Sequence, residues 1–193
     1  PQEERFLQGI GRFTKKLKEQ ANTLGITMPK LMVGFEIANN LYEPNLPQLY
    51  AIDLYGNTFP DLPAPLDKGF WNNEVKHSLD RFLQEWKNDE VSHGLSISGV
   101  VLDLEMYCRK RTGTFTTAMG FDGYSFQKFA QRMKLNPGQL SIHDRVSFLM
   151  KNQKSCEYYS FLEKEMEAIG KELSQFFVQK IPQCVVMCYM PNV

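Results

Sequence analysis

Apolar positions along this chain switch between two periods, that of helices and that of strands. Phe6, Leu7, Ile10, Phe13, Leu17, Ala21 and Leu24 recur at helical spacing, with Lys15, Lys16 and Lys18 on the other side. They predict an amphipathic helix over 3–24, with Gly25 suited to its C-terminal cap. The run 30–38 (KLMVGFEIA) then predicts a buried strand whose end turns polar at Glu36, Asn39 and Asn40. Residues 41–73 hold five prolines and read as a long loop around one short strand, 49–55. Asn72 or Asn73 is placed to cap a helix carrying Val75, Leu79, Phe82, Leu83 and Trp86. Short helices are expected over 125–133 and 141–150. Residues 156–180 form the clearest helix, through Tyr158, Phe161, Leu162, Met166, Ile169, Leu173, Phe176 and Phe177. The run 184–190 (CVVMCYM) predicts a last buried strand.

The chain is organised around 97–107 (ISGVVLDLEMY), an apolar run that acquires two acids at its downstream end. Side chains alternate on a strand, so Val101, Asp103 and Glu105 would share one face, with the two carboxylates roughly 6–7 Å apart. Paired acids are costly in a plain core. They suit the open C-terminal end of a parallel strand, where barrel enzymes place their sites. The alternative is that both acids end the strand as caps or salt-bridge partners.

Buried strands alternating with amphipathic helices argue for a parallel α/β sheet. No dinucleotide-binding glycine pattern or P-loop appears. Acids at two strand ends favour a (β/α) barrel of the TIM type. A full barrel needs about 250 residues and eight strands; at 193 residues with about four strands, the expectation is a single partial barrel over 1–193, completed by a further chain or segment. Lysine plus arginine equals aspartate plus glutamate at 22 each, which gives no general argument for nucleic acid or an anionic membrane as partner. No run is long enough to span a bilayer. The three histidines are scattered, so neither a metal nor another cofactor is expected. Of the four cysteines, Cys184 and Cys188 would lie about 13 Å apart on one strand, too far for a disulfide, and read as small core residues.

Gly99, Val100, Leu102, Asp103, Leu104 and Glu105 resemble the signature strand of family 18 glycoside hydrolases, the chitinase-like barrels, with Val101 where the first aspartate of that signature stands. The Asp-apolar-Glu ending is also similar to the catalytic strand of other barrel glycosidases, including family 25 muramidases. Met187-Cys188-Tyr189 resembles a later strand of the family 18 barrel, with Met190 replacing its aspartate. The resemblance implies a glycoside hydrolase acting on an oligosaccharide or polysaccharide.

Glycoside cleavage needs a proton donor for the leaving oxygen and a group that stabilises an oxocarbenium-like centre. Glu105 is the expected donor, with Asp103 raising its pKa by repulsion. If the family 18 resemblance holds, Asp103 orients the acetamido group of the substrate; otherwise a second carboxylate, Glu36, must serve. Arg109, Lys110 and Arg111 either hold the acids ionised, grip an anionic substrate group, or stand as solvated loop charges. Aromatic rings suit the C–H faces of sugars, which nominates Tyr55, Trp71, Tyr107 and Tyr189 for substrate binding, Trp71 as an exposed platform. Two other functions fit the same residues. One is a carbohydrate-binding barrel without catalysis, favoured by Val101. The other is a divalent-metal phosphoesterase using Glu36, Asp103 and Glu105 as oxygen ligands.

Overall fold

At Gly99 the middle strand of the main sheet leaves no room for a side chain beside its neighbour. In the computed structural model, which describes residues 2–36, 49–103, 105–108, 111–114, 120–136 and 140–189, three strands form a parallel sheet: β1 (Leu31–Glu36), β4 (Ile97–Asp103) and β7 (Val185–Tyr189). β4 lies in the middle. A Cβ added at Gly99 would collide with the carbonyl of Val185, its register partner on β7, and would lie 2.8 Å from the Met32 side chain on β1.

Two antiparallel pairs accompany this sheet. β2 (Tyr50–Ile52) pairs with β3 (Thr58–Pro63), and β5 (Glu105–Cys108) pairs with β6 (Arg111–Thr114). The second partner in each was read from the sequence as loop. Prolines at 60 and 63 hid β3; among the described residues β3 pairs with β2 alone, and an edge strand tolerates proline. The turn joining β2 to β3 is held by Asp53, whose Oδ1 accepts from the N–H groups of Tyr55 (2.9 Å) and Asn57 (2.8 Å).

The expected (β/α) barrel is not what forms. The described residues contain seven strands, of which three are parallel, divided among three separate sheets. A barrel of this type closes on eight parallel strands. The architecture is mixed α/β, with an open parallel sheet and two hairpins. The organising run also divides. Asp103 ends β4 in the parallel sheet, whereas Glu105 opens β5 in a hairpin, with Leu104 outside the described residues. The alternation argument, which required one continuous strand from 97 to 107, therefore does not relate Asp103 to Glu105.

The helices are α1 (Gln2–Leu24), α2 (His77–Trp86), α3 (Asp89–Ser92), α4 (Gly123–Arg132), α5 (Ile142–Lys151) and α6 (Ser155–Lys180), with a π-helical segment, Phe70–Lys76, running into α2. Val100 and Leu102 of β4 are buried in one core with Phe70, Trp71, Val75 and Leu79, and with Tyr158, Phe161, Leu173 and Phe177 of α6. Val33, Phe35 and Val186 pack against that core from β1 and β7. The alternate positions on the sheet are more open: Val101 is half-buried, and Val185 and Met187 are exposed. Helix α1 is held to α3 by side chains. Thr14 Oγ1 donates to the Val91 carbonyl at 2.6 Å, and Lys18 Nζ to the His93 carbonyl at 2.8 Å.

The cap expected at Asn72 or Asn73 falls upstream instead. Asp67 Oδ1 accepts from Gly69 N at 2.8 Å, so the helical chain begins before Phe70 and turns Phe70, Trp71 and Val75 inward. Cys188 is exposed, which corrects its expected place in the core, whereas Cys184 is half-buried and packs against the core; both are free thiols. Among the described residues β7 is an edge strand with one partner.

The closeness at Gly99 gives a first prediction. Gly99→Ala must push β7 away from β4, because the obstructing atom is backbone. It should cost about 1–3 kcal/mol, read as a lower urea midpoint. Unchanged stability would show that the strands separate freely at this point.

Candidate functional site

Parallel pairing sets three of the nominated residues side by side. Glu36 on β1 is the register partner of Asp103 on β4, and Asp103 is the register partner of Tyr189 on β7. The three form one row across the sheet at the carboxyl ends of its strands. Backbones of adjacent strands lie about 4.8 Å apart. Open α/β sheets bind ligands outside these ends, because there the loops diverge and backbone and side-chain groups are left free to meet a ligand. Glu105 begins β5 two residues beyond Asp103 and is paired with Thr114, while Tyr107 is paired with Thr112 on the same hairpin. The hairpin therefore starts from the same edge of the sheet. The side chains of Glu36, Glu105, Tyr107 and Tyr189 lie outside the described residues, as do Arg109 and Lys110 entirely. That of Asp103 is half-buried.

The other two nominated aromatic residues part company. Tyr55, in the turn between β2 and β3, is 64% exposed. Trp71 is 3% exposed, its Nε1 donates to the Pro65 carbonyl at 2.9 Å, and its ring meets Phe70 edge-on at 5.0 Å. The expectation of an exposed platform at Trp71 is thus corrected. A buried indole needs a partner for its N–H, and the carbonyl before Leu66 supplies it.

One cluster of buried polar groups was not foreseen. Asp122 caps helix α4, its Oδ1 accepting from Ser125 N at 2.7 Å. Both residues are 0% exposed, and Asp122 Oδ2 and Ser125 Oγ make no hydrogen bond. Burial pushes the Asp122 carboxyl up from 3.8 to about 6, opposed most by the Ser125 N–H, then by the nearby Ser125 hydroxyl, which lies close without hydrogen-bond geometry, by the Asp122 N–H and by the Arg145 charge. Burial also raises the pKa of Tyr158, whose hydroxyl donates to the Gly120 carbonyl. The sequence did carry a signal: an aspartate three residues before Ser125, at the start of an expected helix, is a capping pattern. Its burial was not visible there.

Away from the sheet edge, a cleft of about 340 Å³ between α4 and α6 is lined by Arg132, Met133, Cys156, Phe161 and Lys164 among others. Arg132 and Lys128 are paired there with Glu165. Comparison with protein-family models, curated proteins and solved structures finds no match. Among the described residues, no helix is long and apolar enough to cross a membrane.

The position of Trp71 sets a second prediction. Trp71→Ala should cost about 3–5 kcal/mol, the usual range for emptying a buried aromatic site, seen as a large fall in melting temperature. A melt close to that of the parent would mean the indole is not packed in the core.

Proposed function

We propose that the carboxyl edge of the parallel sheet is a glycan-cleaving site. The observation that supports this most is the single row of Glu36, Asp103 and Tyr189 across the ends of β1, β4 and β7, with Glu105 two residues further along the chain. In this reading Glu105 is the proton donor to the leaving oxygen. Asp103 and Glu36 supply the negative charge that a developing oxocarbenium-like centre requires. The likeness of Gly99–Glu105 to the catalytic strand of barrel glycosidases points to the same two acids as a likeness of sequence, since here Asp103 and Glu105 belong to different sheets. Tyr55, open to solvent, and Tyr107 and Tyr189, at the site edge, are the aromatic residues for sugar contact, with Trp71 removed from that group.

Acids on neighbouring parallel strands are also what a divalent cation recognises. Their adjacency therefore favours a second reading, a metal-dependent phosphoesterase using Glu36, Asp103 and Glu105. One assay separates the two. The protein is incubated with a panel of fluorogenic glycosides and N-acetylglucosamine oligosaccharides, and with a phosphodiester, each with and without EDTA. Cleavage of a glycoside that survives EDTA supports the glycosidase. Phosphodiester cleavage abolished by EDTA and restored by Mg²⁺ replaces it with the second reading, and no cleavage of any glycoside overturns it. On a cleaved glycoside, Glu105→Gln should lower turnover by about 10²–10⁴-fold, the usual contribution of a proton donor, with an unchanged circular dichroism spectrum. Turnover near that of the parent would remove Glu105 from the role.

A further inference from the structure

The segment Gly120–Asp122 enters helix α4 after the β5–β6 hairpin and is clamped from three sides. Phe121 N donates to the Ile52 carbonyl on β2 at 3.1 Å. The Phe121 carbonyl accepts from Arg145 Nη1 on α5 at 2.6 Å, and the Gly120 carbonyl accepts from the Tyr158 hydroxyl on α6. Within this clamp the buried Asp122 carboxyl has one oxygen committed to the helix cap and one without a partner, beside an equally unpartnered Ser125 hydroxyl. An unsatisfied polar group in such a place is costly, and a charged one more so.

We propose that Gly120–Asp122 is a pH-sensitive anchor, closed while the Asp122 carboxyl is protonated and loosened when it ionises. The groups that could offset the charge are few. Among the described residues α5 offers Arg145, already given to the Phe121 carbonyl and lying 5.9 Å from the Phe126 ring. From α6 there are Tyr158 and Tyr159, which bring no positive charge. On the β2 side, Asp53 brings no positive charge and is engaged with the Tyr55–Asn57 turn. Ser125 on α4, through its N–H and its hydroxyl, and the N–H of Asp122 itself offset part of the ionised carboxyl; the charge left over draws Arg145 off the Phe121 carbonyl or admits water, and both release the segment. The direction follows from linkage. A carboxyl raised by folding from 3.8 to about 6 favours the closed state fully below about 3.8, and that advantage is lost as pH rises through about 6. The inference is independent of the reaction assigned to the sheet edge.

The test uses the whole chain and the variant Asp122→Asn, which keeps a helix-capping side chain but cannot ionise. Amide exchange of Phe121, corrected for base catalysis, is compared between the two proteins from pH 5 to pH 8. Relative to the variant, opening in the parent should increase about tenfold between pH 5 and pH 8, the part of the shift from 3.8 to about 6 that falls in this range. In the parent alone, the ¹³C signal of the Asp122 carboxyl should titrate near pH 6, a readout that stands even if the variant fails to fold. A constant exchange ratio across this range, or an Asp122 signal titrating with ordinary carboxylates near 4, would overturn the anchor.

Discussion

At Gly99 the backbone of β4 comes so close to Val185 that no side chain fits between them. The approach fixes β7 against β4, and the register that follows from it carries Tyr189 to the level of Asp103. On the other edge, β1 brings Glu36 to the same level, after a register irregularity between Leu31 and Met32. Neither edge strand has another partner among the described residues. The geometry of the carboxyl edge therefore rests on β4 keeping both neighbours at close range, and a shift of one residue in either pairing would put an apolar side chain beside Asp103.

The packing beneath that edge is asymmetric. Val100 and Leu102 anchor β4 to the core built from α6 and the Phe70–Lys76 segment, while Val101 and Asp103 lie on the more open side. Rigid support on one side with access on the other is what a binding site on a sheet requires. The hairpin that carries Glu105 leaves this edge, and the chain returns to the core at Gly120–Asp122, where β2, α5 and α6 each contribute a hydrogen bond. Anchorage thus lies on both flanks of the hairpin: β4 before it and, after it, the segment held at the buried capping aspartate, which is firmest while that carboxyl is protonated.

Much of this was legible in the sequence where a period repeats often enough to speak. Tyr158, Phe161, Leu162, Ile169, Leu173 and Phe177 are buried along α6 as a 3.6-residue period requires. Glu36 and Asp103 could be nominated singly as acids at strand ends, and Tyr189 as an aromatic residue in a stretch that resembles a later barrel strand. Their common level could not, because the register between strands far apart in sequence is written in neither strand alone. Apolar alternation continued across Leu104 although the chain changes sheets there, so a pattern of period two overstated the length of one strand. Trp71 was misplaced for a different reason. A single indole in a proline-rich stretch has no periodic neighbours, and its partner is a backbone carbonyl, which no side-chain pattern reveals. The barrel failed at the level of closure: strand–helix alternation predicts parallel pairing, and three parallel strands satisfy it without enclosing anything.

That the ends of β1, β4 and β7 act together as one ligand site is most directly tested by backbone amide shifts during titration of the ¹⁵N-labelled protein with an N-acetylglucosamine oligosaccharide. The account predicts that Glu36, Asp103 and Tyr189 respond with a single dissociation constant, together with Glu105 and Tyr107 on the hairpin. Shifts confined to the α4–α6 cleft around Arg132, Phe161 and Lys164, with the strand ends unmoved, would contradict it.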